Sequence, residues 1–362
     1  MTTSGSGAYV IAAGGTGGHI MPGIALADEI RARRAGVPIV FVGTAQGLET
    51  QIVAAAGYPL ELVDASGFVG KTLGKQIRSL SRLPKGFFEA RALLRRHRAR
   101  AVVGVGGYVT VPVLMAARSL GIPTLIHESN ARPGVANRFL NRFATRTAVG
   151  LAAANAHLRR AGVVTGTPVR REFFDVPPLD PEAASRRLFV FGGSQGSRVI
   201  NRAMARAAVL LEKSTLEVMH QTGEKDLTGT RQRYPRMPAN WKLEPFLPRL
   251  WEQIAAADLV VSRAGAMTVA ELAAAGRPAI LVPFGASAAG HQLENARALA
   301  KAGAVVVIAE KDLTAESLAG TVVELFRDRA RLTAMGQKAK ALARPDAARD
   351  LARLLFEAEV SR

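Results

Sequence analysis

The sequence predicts an α/β protein made of two Rossmann-like, doubly wound domains facing one another. Three observations carry this expectation. At 362 residues the chain exceeds the size at which a single core stops growing, about 250–300 residues. Apolar β-rich runs alternate along it with amphipathic or Ala-rich helical patterns, as parallel sheets with crossover helices require. Finally, Val10-Ile-Ala-Ala-Gly-Gly-Thr-Gly-Gly-His19 is echoed by Phe189-Val-Phe-Gly-Gly-Ser-Gln-Gly-Ser197, each reading as strand, glycine turn and helix.

In chain order, the first-half strands are Tyr9–Ala13, Ile39–Val42, Leu60–Val63, Ala101–Val105, Thr124–His127 and Arg146–Val149, enough for one doubly wound sheet. The apolar run Ala101–Ala117 nears the lower length limit of a membrane span, but Gly104, Gly106, Gly107 and Pro112 interrupt it, so it reads as strand, glycine turn and helix. The pattern pauses around Gly162–Pro168. After the polar stretch Asp175–Pro181 it restarts with Arg187–Phe191, Leu216–His220, Lys242–Phe246, Leu259–Ser262, Ala279–Pro283 and Val305–Ala309. The expected domains are therefore residues 1–167 and 168–344. The tail, Ala347–Val360, is helical in period, and pattern alone leaves open which domain it packs on.

Composition removes several chemistries. With no Cys, disulfides, thiolate metal sites and a Cys nucleophile are excluded. No Asp-x-Asp triplet and no His/Asp/Glu cluster with metal-ligand spacing occurs, so neither a metal nor another cofactor is expected. The first apolar stretch, Ala8–Ala13, runs directly into glycines without a charged leader, so no signal peptide is expected. The net charge of +19 points to a polyanionic partner. Most of it lies early: residues 1–170 hold 21 Lys and Arg against 7 Asp and Glu.

Glycine turns between strand and helix let a backbone approach an anion closely and aim N–H groups at it. Gly14-Gly-Thr-Gly-Gly-His19 has this form but lacks the Gly-Lys-Ser/Thr of a Walker loop. A dinucleotide site would need an acidic residue closing the second strand, where this chain has Val42-Gly43-Thr44. Gly192-Gly-Ser-Gln-Gly196 is the better phosphate cradle, because Ser194 adds a hydroxyl where a helix dipole favours negative charge. Gly104-Val-Gly-Gly-Tyr108 has no hydroxyl or base beside its glycines and reads as shaping a wall. In Ser262-Arg-Ala-Gly-Ala-Met-Thr-Val-Ala-Glu271, Glu271 follows a small-residue stretch, and one carboxylate can accept both hydroxyl hydrogens of a ribose diol. An ordinary surface Glu has the same local pattern. His19 is the ionisable side chain of the first glycine loop, and an imidazole can take a proton from an attacking hydroxyl. A locally bonded helix-terminal His fits the sequence too.

Between Phe68 and Arg100 lie Lys71, Lys75, Arg78, Arg82, Lys85, Arg91, Arg95, Arg96, Arg98 and Arg100 against Glu89, interleaved with Leu73, Ile77, Leu80, Leu83, Phe87 and Phe88. Apolar groups flanked by cations suit an anionic membrane surface. A crossover helix with solvated charges is the alternative. Nucleic acid is not expected as a partner, since no recognition motif is present and aromatics for stacking are few.

Taken together and in order, Gly14-Gly-Thr-Gly-Gly-His19, Gly104-Val-Gly-Gly-Tyr108, His127-Glu-Ser-Asn130, Gly166-Thr-Pro-Val-Arg170, Gly192-Gly-Ser-Gln-Gly196, Arg263-Ala-Gly-Ala-Met-Thr-Val-Ala-Glu271 and His291-Gln292 resemble the MurG family of bacterial UDP-N-acetylglucosamine transferases. The resemblance spans nearly the whole chain. It implies a GT-B fold with the active site between the lobes, a UDP-GlcNAc-binding C-terminal lobe, and a C-terminal helix (345–362) crossing back to the first lobe. It further implies a peripheral protein of the cytoplasmic membrane face that performs inverting transfer to the MurNAc 4-hydroxyl of lipid I, giving lipid II. His19 would act as base, with Glu128 a competing choice. By the same resemblance Thr16, Gly17 and Gly18 lie at the sugar diphosphate, Asn130 and Gln292 contact the sugar, and Arg170 lies near the nucleotide. Ser194 would meet the phosphates, Glu271 the ribose and Leu247 the uracil, with Ala266, Met267, Thr268, Val269 and Ala270 lining the same pocket. Two departures stand out: Gly285-Ala-Ser-Ala-Ala-Gly290 lacks expected acids, and Thr167 replaces a usual Asn. A diacylglycerol glycosyltransferase is the neighbouring alternative. A nicotinamide oxidoreductase is disfavoured by the missing acid after the second strand, and a non-enzymatic scaffold leaves Ser194 and Glu271 without a purpose.

Overall fold

The computed structural model describes residues 7–14, 17–45, 49–65, 73–234, 236–287 and 290–360, with the backbone alone for Gly17 and residues 73–82. The chain forms two compact units, Met1–Val169 with Asp346–Arg362, and Arg170–Pro345.

The first unit runs β1 (Tyr9–Ala12), α1 (Gly17–Arg33), β2 (Ile39–Gly43), α2 (Glu49–Ala55), β3 (Leu60–Leu62), α3 (Leu73–Arg96), β4 (Ala101–Gly104), α4 (Thr110–Ser119), β5 (Thr124–Glu128), α5 (Val135–Leu140), β6 (Arg146–Val149) and β7 (Val163–Val164). The second runs β8 (Arg187–Phe191), α6 (Arg198–Leu211), β9 (Glu217–Gln221), α7 (Leu227–Arg233), β10 (Trp241–Glu244), α8 (Leu250–Ala256), β11 (Leu259–Ser262), α9 (Ala266–Ala275), β12 (Ala279–Leu281), α10 (His291–Lys301), β13 (Val305–Val307), α11 (Ala315–Arg327) and α12 (Arg329–Ala341). The last helix, α13 (Ala347–Val360), belongs to the first unit.

Both units are doubly wound, as the sequence predicts. The sheet orders are β3-β2-β1-β4-β5-β6-β7 and β10-β9-β8-β11-β12-β13, with parallel pairing throughout. In each, strand order reverses beside the first strand, at β1/β4 and at β8/β11. That switch point opens a crevice at the carboxyl ends of the strands, where ligands of such sheets bind. Sequence reading missed β7, a two-residue edge strand on β6 that is too short for a periodicity to register.

Alternation along each strand divides the first core in two. Tyr9, Ile11 and Ala13 pack with Ile20, Leu26 and Ile30 of α1 and with Leu351, Leu354 and Leu355 of α13. Val10 and Ala12 face Ala90, Leu93 and Leu94 of α3 and Val113 and Leu114 of α4. The second core joins Leu188, Val190, Leu259 and Val261 to α6, α11 and α12. At the end of α13, Glu359 accepts from Tyr9 Oη and Arg34 Nη1, each at 2.6 Å, and from Arg100 Nε at 2.6 Å.

The basic segment is one long helix, α3. Residues 66–72, including Phe68 and Lys71, lie outside the described residues, as do the side chains of Leu73, Lys75, Arg78, Ile77, Leu80 and Arg82. Its later half is a crossover helix: Ala90, Leu93 and Leu94 are core, Lys85 pairs with Asp64 at 3.3 Å, and Arg96 pairs with Glu61 at 2.7 Å. Phe88, 63% exposed, faces out. Among the described residues no helix is long and apolar enough to cross a membrane.

Candidate active site

In the first unit the candidate residues gather at the carboxyl ends of β1, β4 and β5. Gly17, Gly18 and His19 open α1, whose first turn carries no acid; Thr16 lies outside the described residues. The Gly104–Tyr108 turn does more than shape a wall. Gly106 has φ +117°, and a Cβ there would lie 2.6 Å from His19 Cδ2; Gly107 has φ +86°, and a Cβ would lie 2.3 Å from Gly14 O. Only glycines make room for the imidazole and for the carbonyl it bonds. His19 Nδ1 is 3.3 Å from Gly14 O. A carbonyl accepts, so Nδ1 carries the proton in this contact, and Nε2 of the neutral ring keeps its lone pair.

Glu128, at the end of β5, is buried, and both of its oxygens are engaged. Oε1 accepts from Asn130 N and Asn130 Nδ2, each at 2.9 Å; Oε2 accepts from Gly134 N at 3.0 Å and Asn137 Nδ2 at 2.9 Å. The carboxylate thus fixes the turn from β5 into α5 and holds the Asn130 side chain. His127, buried beside it, lies 3.0 Å from Gly166 O through Nε2, and burial pushes its pKa down. The Thr167 hydroxyl fills the space a Cβ at Gly150 would occupy, 2.2 Å away.

One carboxylate near the end of β2 escaped the sequence reading. Glu49 is fully buried, and its Oε1 accepts from Thr44 N and Thr44 Oγ1, each at 2.8 Å. Turned inward on Thr44, it does not supply the ribose ligand a dinucleotide site needs.

In the second unit the glycine loop follows β8 at the switch point. Ser194 is exposed in this turn, three residues before the helix cap; the cap itself is Ser197, whose Oγ accepts from Ile200 N. The loop leans on the end of β9: a Cβ at Gly196 would lie 1.9 Å from Thr222 O, and one at Gly223 2.5 Å from Gln195 O. His220-Gln-Thr-Gly223, a strand end running into a glycine, was the overlooked signal.

The β11 turn leads into α9, whose N-cap is Gly265. Ala266, Met267, Thr268, Ala270 and Glu271 are half-buried. Val269 is core, 2% exposed, so its side chain packs inward and only its backbone is left for a ligand. Gln292 Oε1 accepts from Ala264 N at 3.3 Å and Phe284 N at 2.9 Å, which orients its amide nitrogen away from those two groups. Arg263 bonds Val282 O at 3.2 Å and Glu310 at 2.5 Å. Leu247 is half-buried in the loop after β10, and the segment Gly285–Gly290 has residues 288 and 289 outside the described set.

Glu271 lies within electrostatic reach of Arg170. Burial pushes the Glu271 carboxyl up to about 7, and the Arg170 charge opposes that rise. Arg170 lies over the Trp251 ring, 4.4 Å from its centroid, and 5.4 Å from that of Phe173. Sequence reading missed Trp251, which no motif marks. Among the described residues no group of three or more His, Cys, Asp or Glu is placed to hold a metal ion.

Residues 9–149 match the family model of the glycosyltransferase family 28 N-terminal domain, and residues 187–351 that of its C-terminal domain. A UDP-N-acetylglucosamine–N-acetylmuramyl-(pentapeptide) pyrophosphoryl-undecaprenol N-acetylglucosamine transferase from Syntrophotalea carbinolica is 44% identical over 339 residues, covering 92% of this chain and 94% of its own. The transferase of the same name from Myxococcus xanthus is 43% identical over 348 residues, covering 95% and 91%. The crystal structure of Acinetobacter baumannii MurG aligns with TM-score 0.79 and 30% identity over 98% of this chain and 100% of its own. The calicheamicin glycosyltransferase CalG4, with TM-score 0.69 and 18% identity, shares the fold over 98% of each chain.

Proposed function

We propose that this chain, which belongs to glycosyltransferase family 28, transfers GlcNAc from UDP-GlcNAc to the MurNAc 4-hydroxyl of lipid I, forming lipid II. Relatives bearing that activity in their names are 44% and 43% identical over almost the whole chain. The observation that carries the donor half of the reading is Glu271: a half-buried carboxyl beside Arg170, at the carboxyl edge of the second sheet.

In this reading Glu271 accepts the ribose diol, and Arg170, seated on Trp251, neutralises it. Leu247 and the first turn of α9, Ala266 to Ala270, border the base. The diphosphate lies on the Gly192–Gly196 amides and the Ser194 hydroxyl. Gln292 and Asn130 hold the sugar, with Thr16, Gly17 and Gly18 at the sugar diphosphate. His19 Nε2 removes the proton of the acceptor hydroxyl as its oxygen attacks the anomeric carbon. The bond from that carbon to the diphosphate oxygen breaks on the opposite face, UDP leaves with the electron pair, and the linkage is inverted to β-1,4. Support for His19 over Glu128 is geometric, since Glu128 already accepts four hydrogen bonds within its own turn.

The same reading places the protein peripherally on the anionic cytoplasmic face of the membrane. Supporting it are exposed aromatic groups on the first unit, Phe88, Phe139 and Phe143, the last two flanked by Arg138 and Arg142. Each cation near such a surface contributes about 1 kcal/mol.

The test is transfer of labelled GlcNAc from UDP-GlcNAc to a lipid I analogue, with diacylglycerol as the competing acceptor and EDTA in a parallel reaction. Product on lipid I alone, undiminished by EDTA, is expected. Product on diacylglycerol would replace the acceptor, and loss in EDTA would replace the account of leaving-group stabilisation.

A further inference from the structure

The glycine loop after β8 has one open and one packed side. Gly193 has φ +87° and nothing within 4 Å of a Cβ, whereas Gly196 is pressed on Thr222 O. On the packed side, the Gln221 side chain, 3% exposed, reaches back to donate from Nε2 to Gly193 O at 3.3 Å. Gly193 O also accepts from Gly196 N within the loop at 2.9 Å, and the outside support of the turn comes from Gln221 at the end of β9 and from Thr222 and Gly223 just after it.

That strand end is in turn held by a buried polar chain. Asn201 of α6, fully buried, donates from Nδ2 to Thr222 O at 2.9 Å and to Asp226 Oδ2 at 2.8 Å. Its Oδ1 is then the acceptor for His220 Nε2 at 3.0 Å, which leaves His220 Nδ1 to accept from Tyr234 Oη at 2.9 Å. Asp226 also accepts from Thr230 Oγ1 at 3.1 Å and Arg233 Nη1 at 3.3 Å. The Asn201 amide, His220 Nε2, Tyr234 Oη and Thr230 Oγ1 each meet an acceptor, so the arrangement has one hydrogen-bonding pattern, and buried networks satisfied in this way fix a local geometry. His220 stays neutral, since burial pushes its pKa down to about 3.

We infer that Gln221 and Asn201 are positioning residues for the donor diphosphate: they brace the Gly192–Gly196 loop from its packed side, through Gly193 O and the Thr222 carbonyl under Gly196, without touching the ligand. The inference rests on the donor-site reading above and adds to it the residues that shape the phosphate cradle. Because the network holds the end of β9, on the other side of β8 from β11 and the helix that carries Glu271, its loss falls on affinity for phosphate and spares affinity for the nucleoside.

The experiment uses the full chain and compares UDP with uridine by titration calorimetry. Gln221→Glu keeps the shape, removes the donor and sets a carboxylate against Gly193 O. It is expected to weaken UDP about 10-fold, a loss of one hydrogen-bond contribution, to leave uridine within about 2-fold, and to raise KM for UDP-GlcNAc in step with UDP. Asn201→Asp is expected to give the same selective signature. If Gln221→Glu fails to fold, Gln221→Met removes the donor without adding charge and carries the same comparison. Equal weakening of UDP and uridine, or no change in either, overturns the inference while leaving the donor site in place. A wild-type chain that binds UDP no better than uridine overturns the donor-site reading and this inference with it.

Discussion

The carboxyl of Glu271 sits in the field of the Arg170 guanidinium, which rests 4.4 Å from the centroid of the Trp251 ring. Burial raises the Glu271 pKa to about 7 from an ordinary 4.5, and Arg170 limits the rise. Below 4.5 the group is protonated whether the chain is folded or not. Between 4.5 and 7 only the unfolded chain ionises, so this group's contribution favours folding at low pH and is lost as pH rises through 7.

Ligand binding has the opposite sign. A ribose diol donates two hydrogens and needs the ionised carboxylate, so UDP-GlcNAc is expected to bind with proton release and to weaken as pH falls below 7, by at most about 10-fold per unit. UDP-GlcNAc is the right probe because its diphosphate lacks the terminal group that, as in a phosphate monoester, titrates near about pH 6. Calorimetric Kd values between pH 6 and 8 check this. Glu271→Gln should bind more weakly at pH 8 and show a flat profile; a wild-type profile that is already flat rules out the diol assignment.

His19 and Gly106 act as a pair. His19→Ala is expected to lower kcat about 10²–10⁴-fold, the usual worth of a general base, with a smaller change in donor affinity. Gly106→Ala introduces a Cβ 2.6 Å from the ring at φ +117°, so it should displace the imidazole and reproduce much of that loss. Both are measured as kcat with donor and acceptor saturating. Normal turnover in His19→Ala moves the base elsewhere.

Glu128→Gln separates structure from chemistry at β5. Gln keeps one carbonyl acceptor but turns the other end into a donor facing Gly134 N and the Asn137 amide. The variant is expected to lose about 1–3 kcal/mol of stability, as buried donors left unsatisfied do. With the fold retained below its lowered melting temperature, kcat should fall far less than in His19→Ala. A greater loss than His19→Ala in a chain of unchanged stability would make Glu128 the base.

The sheets were legible because their strands are short Val-, Ile- and Ala-rich runs separated by glycine turns, a pattern set by burial on both faces. What pattern could not show is what approaches what in space. Gly106 lies far along the chain from His19, and its need for a missing Cβ appears only when the two are adjacent. Trp251 and Asn201 carry no motif spacing, Gln221 sits in a strand end whose glycine marks only a turn, and the partners of all three come from distant parts of the chain. Glu128 illustrates the reverse difficulty: its motif marked it, but the four donors around it are a property of the turn.

At the opposite end of the first sheet, the place of α13 depends on one carboxylate. Leu351, Leu354 and Leu355 bury the apolar side of the helix, and that packing alone sets no register along its axis. Glu359 does, because Tyr9 Oη, Arg34 and Arg100 converge on it from the start of β1, the end of α1 and the residue before β4. Glu359→Ala leaves a buried phenol and two cations without their shared acceptor, and is expected to cost about 2–4 kcal/mol by analogy with other broken, partly buried ion pairs. Glu359→Gln, which still accepts one hydrogen bond, should cost less. Urea unfolding followed by circular dichroism measures both, and amide exchange should show faster opening in residues 347–360 than in α12. Unchanged stability in Glu359→Ala would mean that apolar packing alone holds the helix and that the charged end only decorates it.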